Sequence, residues 1–149
     1  MRASEDPIVA VVAKWHLHMR GQLEGGLDGL LADDCVFLSP IVFTPQVGKE
    51  ITKLYLTAAS KTFPGDGSTE EAGENASSGG SFHYVKEIVS GHHAMLEFET
   101  KVKGKYVNGI DLISCNDEGK ISEFKVMIRP LQAVNLIHEQ MKEMLDRLG

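Results

Sequence analysis

The sequence predicts an α+β domain, with helices in its first part, a run of antiparallel strands in its second, and a closing helix. Three observations carry this. Apolar residues recur at helical spacing near the start (Ile8, Val11, Val12, Trp15, Met19) and again at Ile51, Leu54, Tyr55 and Ala58. From residue 82 they alternate instead, in runs at 82–89, 94–103, 105–115 and 120–129, broken by GHH, KGK and NDEG. Helical spacing then returns in Ala133, Leu136, Ile137, Met141, Met144 and Leu148. Helices followed by a strand meander is the order in which helices segregate to one face of an antiparallel sheet. If that sheet is strongly curved, helices and sheet can enclose a pocket.

Each element has a local reason. Asp6-Pro7 supplies an N-cap and a first-turn proline for the first helix, which Gly21 stops. Residues 23–32 (LEGGLDGLLA) form a short second helix weakened by its glycines. CVFLSPIVF, from Cys35, is extended and is interrupted at Pro40. A third helix covers Lys49 to Lys61. Residues 64–81 (PGDGSTEEAGENASSGGS) are glycine, serine and acid with almost no apolar content, the composition of a flexible loop. In the second strand run Ala94, Leu96, Phe98, Thr100 and Val102 alternate with Met95, Glu97, Glu99, Lys101 and Lys103, so one face is apolar and the other largely charged. In the last run Ile121 and Glu123 fall in one register and Phe124, Val126 and Ile128 in the other. The C-terminal helix has an apolar stripe that packs on its own sheet, over the pocket mouth, or on a second subunit.

The chain has 149 residues, enough for a single domain over 1–149 with a full core or a shell around a pocket. A net charge of −6 and the lack of a basic stripe speak against nucleic acid. No stretch has the length and apolarity of a membrane span, and acids precede the first apolar stretch, which reads as a helix rather than a signal peptide. Cys35 and Cys115 have no metal or redox spacing, and isolated thiols suit a reducing cytoplasm. His16 and His18 lie two apart on a helix and cannot share a metal; HEQMK at 138–142 lacks the second histidine of a zinc motif. Neither a metal nor a cofactor is expected.

One residue breaks the apolar pattern. In YVNGIDLISC, Asp111 is flanked by Ile110, Leu112 and Ile113. A carboxylate there costs several kcal/mol unless it is paired, hydrogen-bonded or protonated. Either the fold satisfies it structurally, or its suppressed ionisation is chemistry.

GQLEGGLDGLLADDCVFLSPIV, followed by a helix and then by NGIDLISCNDEGKISEFKVM, resembles the nuclear transport factor 2-like superfamily, nearest its SnoaL-like and ketosteroid-isomerase-like members, over roughly residues 8–129. The resemblance implies a cone-shaped fold: a curved antiparallel sheet wrapped around N-terminal helices, here with an added C-terminal helix. It also implies a lipophilic pocket and a homodimer through the outer sheet face. Asp111 matches the aspartic acid that ketosteroid isomerase keeps protonated to donate to an oxyanion, an enzyme that serves as a general example of this device. The isomerase's tyrosine position is Trp15 and its base position is Ser39, which has no basicity of its own. That argues against steroid isomerisation. The epoxide-hydrolase branch needs an arginine and a second aspartate where this chain has Gly109 and Val126. SnoaL-like cyclases, which work with a single pocket aspartate, are the least contradicted relatives. The expected site is therefore Asp111 as acid or base, with Trp15, Ser39, Tyr55, Phe98, Phe124 and Val126 around a small lipophilic molecule. Trp15 and Tyr55 could equally be core aromatics, Ser39 a turn residue, and Phe98, Phe124 and Val126 simply core. The expected function is acid/base catalysis of the isomerase, cyclase or hydrolase type. The alternatives are non-catalytic binding of an apolar ligand and a homodimeric protein-interaction module.

Overall fold

A computed structural model describes residues 6–62 and 82–148; the stretch read as a loop at 64–81 lies outside them. The elements are α1 (Pro7–Met19), α2 (Gly26–Leu30), β1 (Leu31–Leu38), β2 (Gln46–Val47), α3 (Lys49–Thr62), β3 (His83–Ser90), β4 (His93–Val102), β5 (Lys105–Cys115), β6 (Ile121–Arg129) and α4 (Leu131–Leu148). The strands form one curved, unclosed sheet in the order β2-β1-β6-β5-β4-β3. This is the α+β arrangement that the sequence predicts.

The sheet is not wholly antiparallel. β3 to β6 make the expected meander, but β1 joins it parallel to β6, from Leu31 opposite Ile121 to Leu38 opposite Lys125. The extended segment also begins at Leu31 rather than at Cys35, and α2 is cut to Gly26–Leu30. A helix this short and glycine-rich has little propensity to continue, and pairing with β6 takes over its last residues. The two-residue β2 was not foreseen; it adds an antiparallel rung at Val36 and Phe37.

Asp6 stands at the N-cap position of α1, yet its side chain makes no cap. Its Oδ2 accepts from the Gly91 N–H (2.7 Å), while the Ile8 N–H donates to the Gly91 carbonyl (3.1 Å). The residue thus pins the start of α1 to the β3–β4 turn. That anchor lays Ile8, Val11, Val12 and Trp15 against the sheet, where all four are buried.

Alternation holds in β4, whose Ala94, Leu96, Phe98, Thr100 and Val102 are buried. In β6, Ile121 lies inward together with Phe124 and Val126 despite its opposite parity. The pairing with β5 shifts between Ser114 and Cys115, and this bulge turns Ile121 back into the core. α4 folds onto α3 and the ends of β5 and β6, burying Ala133 and Ile137. Among the described residues, no helix is long and apolar enough to cross a membrane.

Gly109 on β5 faces inward below Phe98. A Cβ there would come within 2.8 Å of the Met127 carbonyl oxygen and closer still to the Phe98 ring. This explains why no larger side chain, an arginine included, shares the space. Gly109→Ala should destabilise the fold by about 1–3 kcal/mol through overpacking, read as a lower urea midpoint at unchanged slope.

Candidate functional site

The inward face of β5 carries Val107, Gly109, Asp111, Ile113 and Cys115 in alternation. Asp111 sits in mid-strand, opposite Leu96 of β4 and Val126 of β6, and is only 6% exposed. A carboxyl so placed has little contact with bulk solvent. Its hydrogen bonding comes from β3 and α1 instead. The Tyr84 hydroxyl donates to Asp111 Oδ2 at 2.6 Å, and Trp15 Nε1–H donates to the Tyr84 oxygen at 2.8 Å.

The direction of this chain is fixed, because an indole N–H can only donate. Tyr84 has no other acceptor among the described residues, so its own proton goes to Asp111, and Oδ2 accepts in either protonation state. Any proton that Asp111 carries therefore belongs on Oδ1. That oxygen has no hydrogen-bond partner among the described residues, and the cavity reaches Asp111. Burial pushes the Asp111 pKa up to about 7, and the Tyr84 hydrogen bond opposes the rise. Tyr84 itself is held far above its usual range by burial and by the neighbouring Asp111 charge, so it stays a neutral donor.

Beside Asp111 lies a cavity of about 270 Å³, just under the usual range of ligand sites, which starts near 300 Å³. All seven expected site residues line it: Asp111, Trp15, Ser39, Tyr55, Phe98, Phe124 and Val126. Its walls are aromatic. Trp15 packs on Phe124 with centroids 4.8 Å apart, Tyr55 stacks on Phe37 at 5.1 Å, and Phe82 stacks on Phe98 at 4.8 Å. Ser39 lines the cavity as a turn residue. Its Oγ accepts from the Ile41 and Val42 N–H groups at 3.0 and 3.2 Å, which leaves its hydroxyl a donor rather than a base.

Two side chains lay beyond the sequence reading, and the placement of α4 was one of three it left open. Tyr84 supplies a buried phenol, which donates to Asp111 and is not among the residues that line the cavity. His18 lines the cavity one turn after Trp15, with ring centroids 5.2 Å apart, and burial lowers its pKa. α4 closes one side with Ile137, Met141 and Leu145, and brings His138, Lys142 and Asp146 to the rim. Of the placements considered for this helix, it takes the pocket wall as well as its own domain; its 137, 141, 145 spacing was the signal available. Among the described residues no group of three or more His, Cys, Asp or Glu side chains could hold a metal.

No protein-family model matches the chain, and no curated protein matches it significantly. Solved structures do. A steroid delta-isomerase from Pseudomonas aeruginosa is 30% identical, with a TM-score of 0.80 over 97% of this chain and 95% of its own. A conserved bacterial protein with a cystatin-like fold from Silicibacter pomeroyi DSS-3 is 25% identical, with a TM-score of 0.71 over 89% of this chain and 83% of its own. A nuclear transport factor 2-like protein from Mesorhizobium loti, 16% identical, shares the fold with a TM-score of 0.64 over 87% of this chain and 96% of its own. Taken with the curved sheet, the helices laid on it and the acid in mid-strand, this likeness identifies the chain as a member of the nuclear transport factor 2-like superfamily.

Proposed function

We propose that this protein is an acid/base enzyme of the isomerase type, acting without a cofactor on a small lipophilic carbonyl compound. Asp111 is its proton-handling group. The observation that carries this reading is the chain from Trp15 through Tyr84 to Asp111, which leaves a carboxyl proton on the oxygen that no described residue engages, in a residue that lines an apolar cavity. A neutral carboxyl in that position donates to a carbonyl oxygen as negative charge develops on it, and a water-poor site strengthens that bond. The similarity to a protein named as a steroid delta-isomerase supports the same reaction class. The substrate is small, because the cavity is. The two free thiols, Cys35 and Cys115, are both buried and suit a cytoplasmic setting.

The test is turnover of a small β,γ-unsaturated ketone, cyclohex-3-en-1-one, followed by the ultraviolet absorbance of the conjugated product. Asp111→Asn should lower kcat by at least about 100-fold, the usual contribution of a positioned acid or base. It should still bind 2-naphthol, an apolar hydroxyl compound whose fluorescence reports its capture. Equal turnover by wild type and variant refutes the reading.

The runner-up, a non-catalytic pocket, is favoured by one observation: positions 39, 109 and 126 offer neither base nor arginine. Binding of 2-naphthol with no turnover by the wild type would select it. We also propose that the outer sheet face joins two copies. Glu97, Ile110 and Met127 lie side by side there, as do Met95, Leu112 and Lys125, and the apolar members are only partly covered. Leu112→Glu should then convert a dimer to a monomer by light scattering; a wild type that is already monomeric removes this proposal.

A further inference from the structure

We infer that His18 is the general base of this site, taking a proton from the substrate carbon next to the carbonyl that Asp111 engages. The inference rests on the acid/base reading above and supplies what that reading lacks. A donor to the carbonyl oxygen polarises the bond but takes no proton from carbon, so an isomerase needs a second group. Ser39 has its Oγ engaged by two backbone N–H groups, and Gly109 and Val126 carry no titratable atom. The rim groups His138, Lys142 and Asp146 belong to exposed residues of α4. His18 alone of the cavity's histidines is half-buried.

Its placement follows from α1. One helical turn separates it from Trp15, so both side chains share the helix face that meets the cavity, and their rings are 5.2 Å apart. The base is thus held against the same indole that begins the hydrogen-bond chain to Asp111. His18 has no hydrogen-bond partner among the described residues, so neither ring nitrogen is spent on any of them. His16 is the contrasting case: its Nε2 lies 2.6 Å from Glu87 Oε2. Burial also lowers the His18 pKa, which keeps the imidazole neutral and its lone pair free at pH 7.

The step balances without a co-reactant. A lone pair of His18 takes the α-proton as the C–H bond breaks. The electron pair released forms a carbon–carbon double bond, and the carbonyl oxygen becomes an enolate held by the Asp111 O–H. The imidazolium then returns the proton to the γ-carbon, the carbonyl re-forms, and the double bond ends in conjugation.

The experiment uses the full chain with cyclohex-3-en-1-one. His18→Gln should lower kcat at least about 100-fold while KM and 2-naphthol affinity stay within about threefold, and added imidazole should restore part of the rate of His18→Ala. A His18→Gln variant that keeps more than about a third of wild-type kcat overturns the inference. A second measurement needs no variant. Phenacyl bromide, with its carbonyl at Asp111, presents an electrophilic carbon to the base; a nitrogen–carbon bond forms and bromide leaves. Peptide mapping of the wild type should find the adduct on His18, and adducts confined to other residues count against it. Turnover that depends on Asp111 but not on His18 overturns this inference alone. Turnover by neither wild type nor variants overturns the acid/base reading with it.

Discussion

Asp111→Asn is expected to stabilise the protein at pH 8.5 by about 4 kcal/mol, while changing little at pH 4. The unfolded chain releases the Asp111 proton near the ordinary aspartate value of about 3.9. The folded chain holds it up to about 7, because burial penalises the charge. Between these values the native state binds the extra proton, so stability falls as pH rises. The stabilisation from the neutral acid is complete below about pH 4 and is lost as pH passes through about 7. Asparagine has no charge to bury and keeps an oxygen for the Tyr84 hydroxyl, so it escapes the loss. Urea unfolding of both proteins at pH 4, 6 and 8.5 measures the difference directly. A gap that does not widen between pH 4 and 8.5 would mean that Asp111 ionises freely in the fold. A destabilised variant at pH 8.5 would reverse the sign and carry the same meaning.

The same ionisation bears on activity. A buried acid that costs stability at neutral pH is the pattern expected of a functional group rather than a structural one. If Asp111 were present for packing alone, asparagine, which keeps an oxygen for the Tyr84 hydroxyl, would serve the fold better above pH 7. The pH at which the acid is lost, about 7, is also where its tendency to donate best matches its occupancy.

Much of this site was legible, and the limits of legibility have physical causes. The strict alternation of β4 put Phe98 on the inner face, because side-chain direction in a strand is a local property. The burial of Asp111 followed from its apolar neighbours. What it bonds to did not, because its partner is 27 residues away on β3. Tyr84 precedes a register irregularity between Tyr84 and Lys86, and β3 is mostly exposed, so its alternation carries no inward stripe to mark the tyrosine. Pairing β1 in parallel with β6 depends on contacts some ninety residues apart, such as Leu31 with Ile121, which no local window contains. Ile121 was misplaced relative to Phe124 for a similar reason: a bulge is visible only in the strand opposite. The role of His18 is hidden in the sequence, since helical spacing shows which face it shares but not what that face lines.

Tyr84→Phe is expected to cost more than the loss of one hydroxyl ordinarily does, because two buried groups depend on that oxygen. The ring contacts survive the change: its edge against His16 at 5.5 Å and against Phe82 at 5.1 Å involves carbon atoms that phenylalanine retains. Trp15 Nε1–H loses its acceptor, and an orphaned buried donor costs about 1–3 kcal/mol. Asp111 loses the one hydrogen bond it makes among the described residues. That bond favours the carboxylate, so its removal moves the Asp111 pKa above about 7. At pH 5 the acid is neutral in both proteins, and the deficit is about 1–3 kcal/mol, chiefly from the orphaned indole. At pH 8.5 the wild type has ionised with Tyr84 as donor while the variant must hold its proton or bury an unbonded charge, so the deficit grows. Trp15→Phe separates the parts. It removes the donor that Tyr84→Phe orphans, so the double variant should cost less than the sum of the singles by about 1 kcal/mol or more. Urea unfolding of the four proteins at pH 5 and 8.5 measures this coupling and its pH dependence together. Strictly additive costs would show that Trp15, Tyr84 and Asp111 do not act as one chain, and would leave Oδ1 without the directional argument that assigns it the proton.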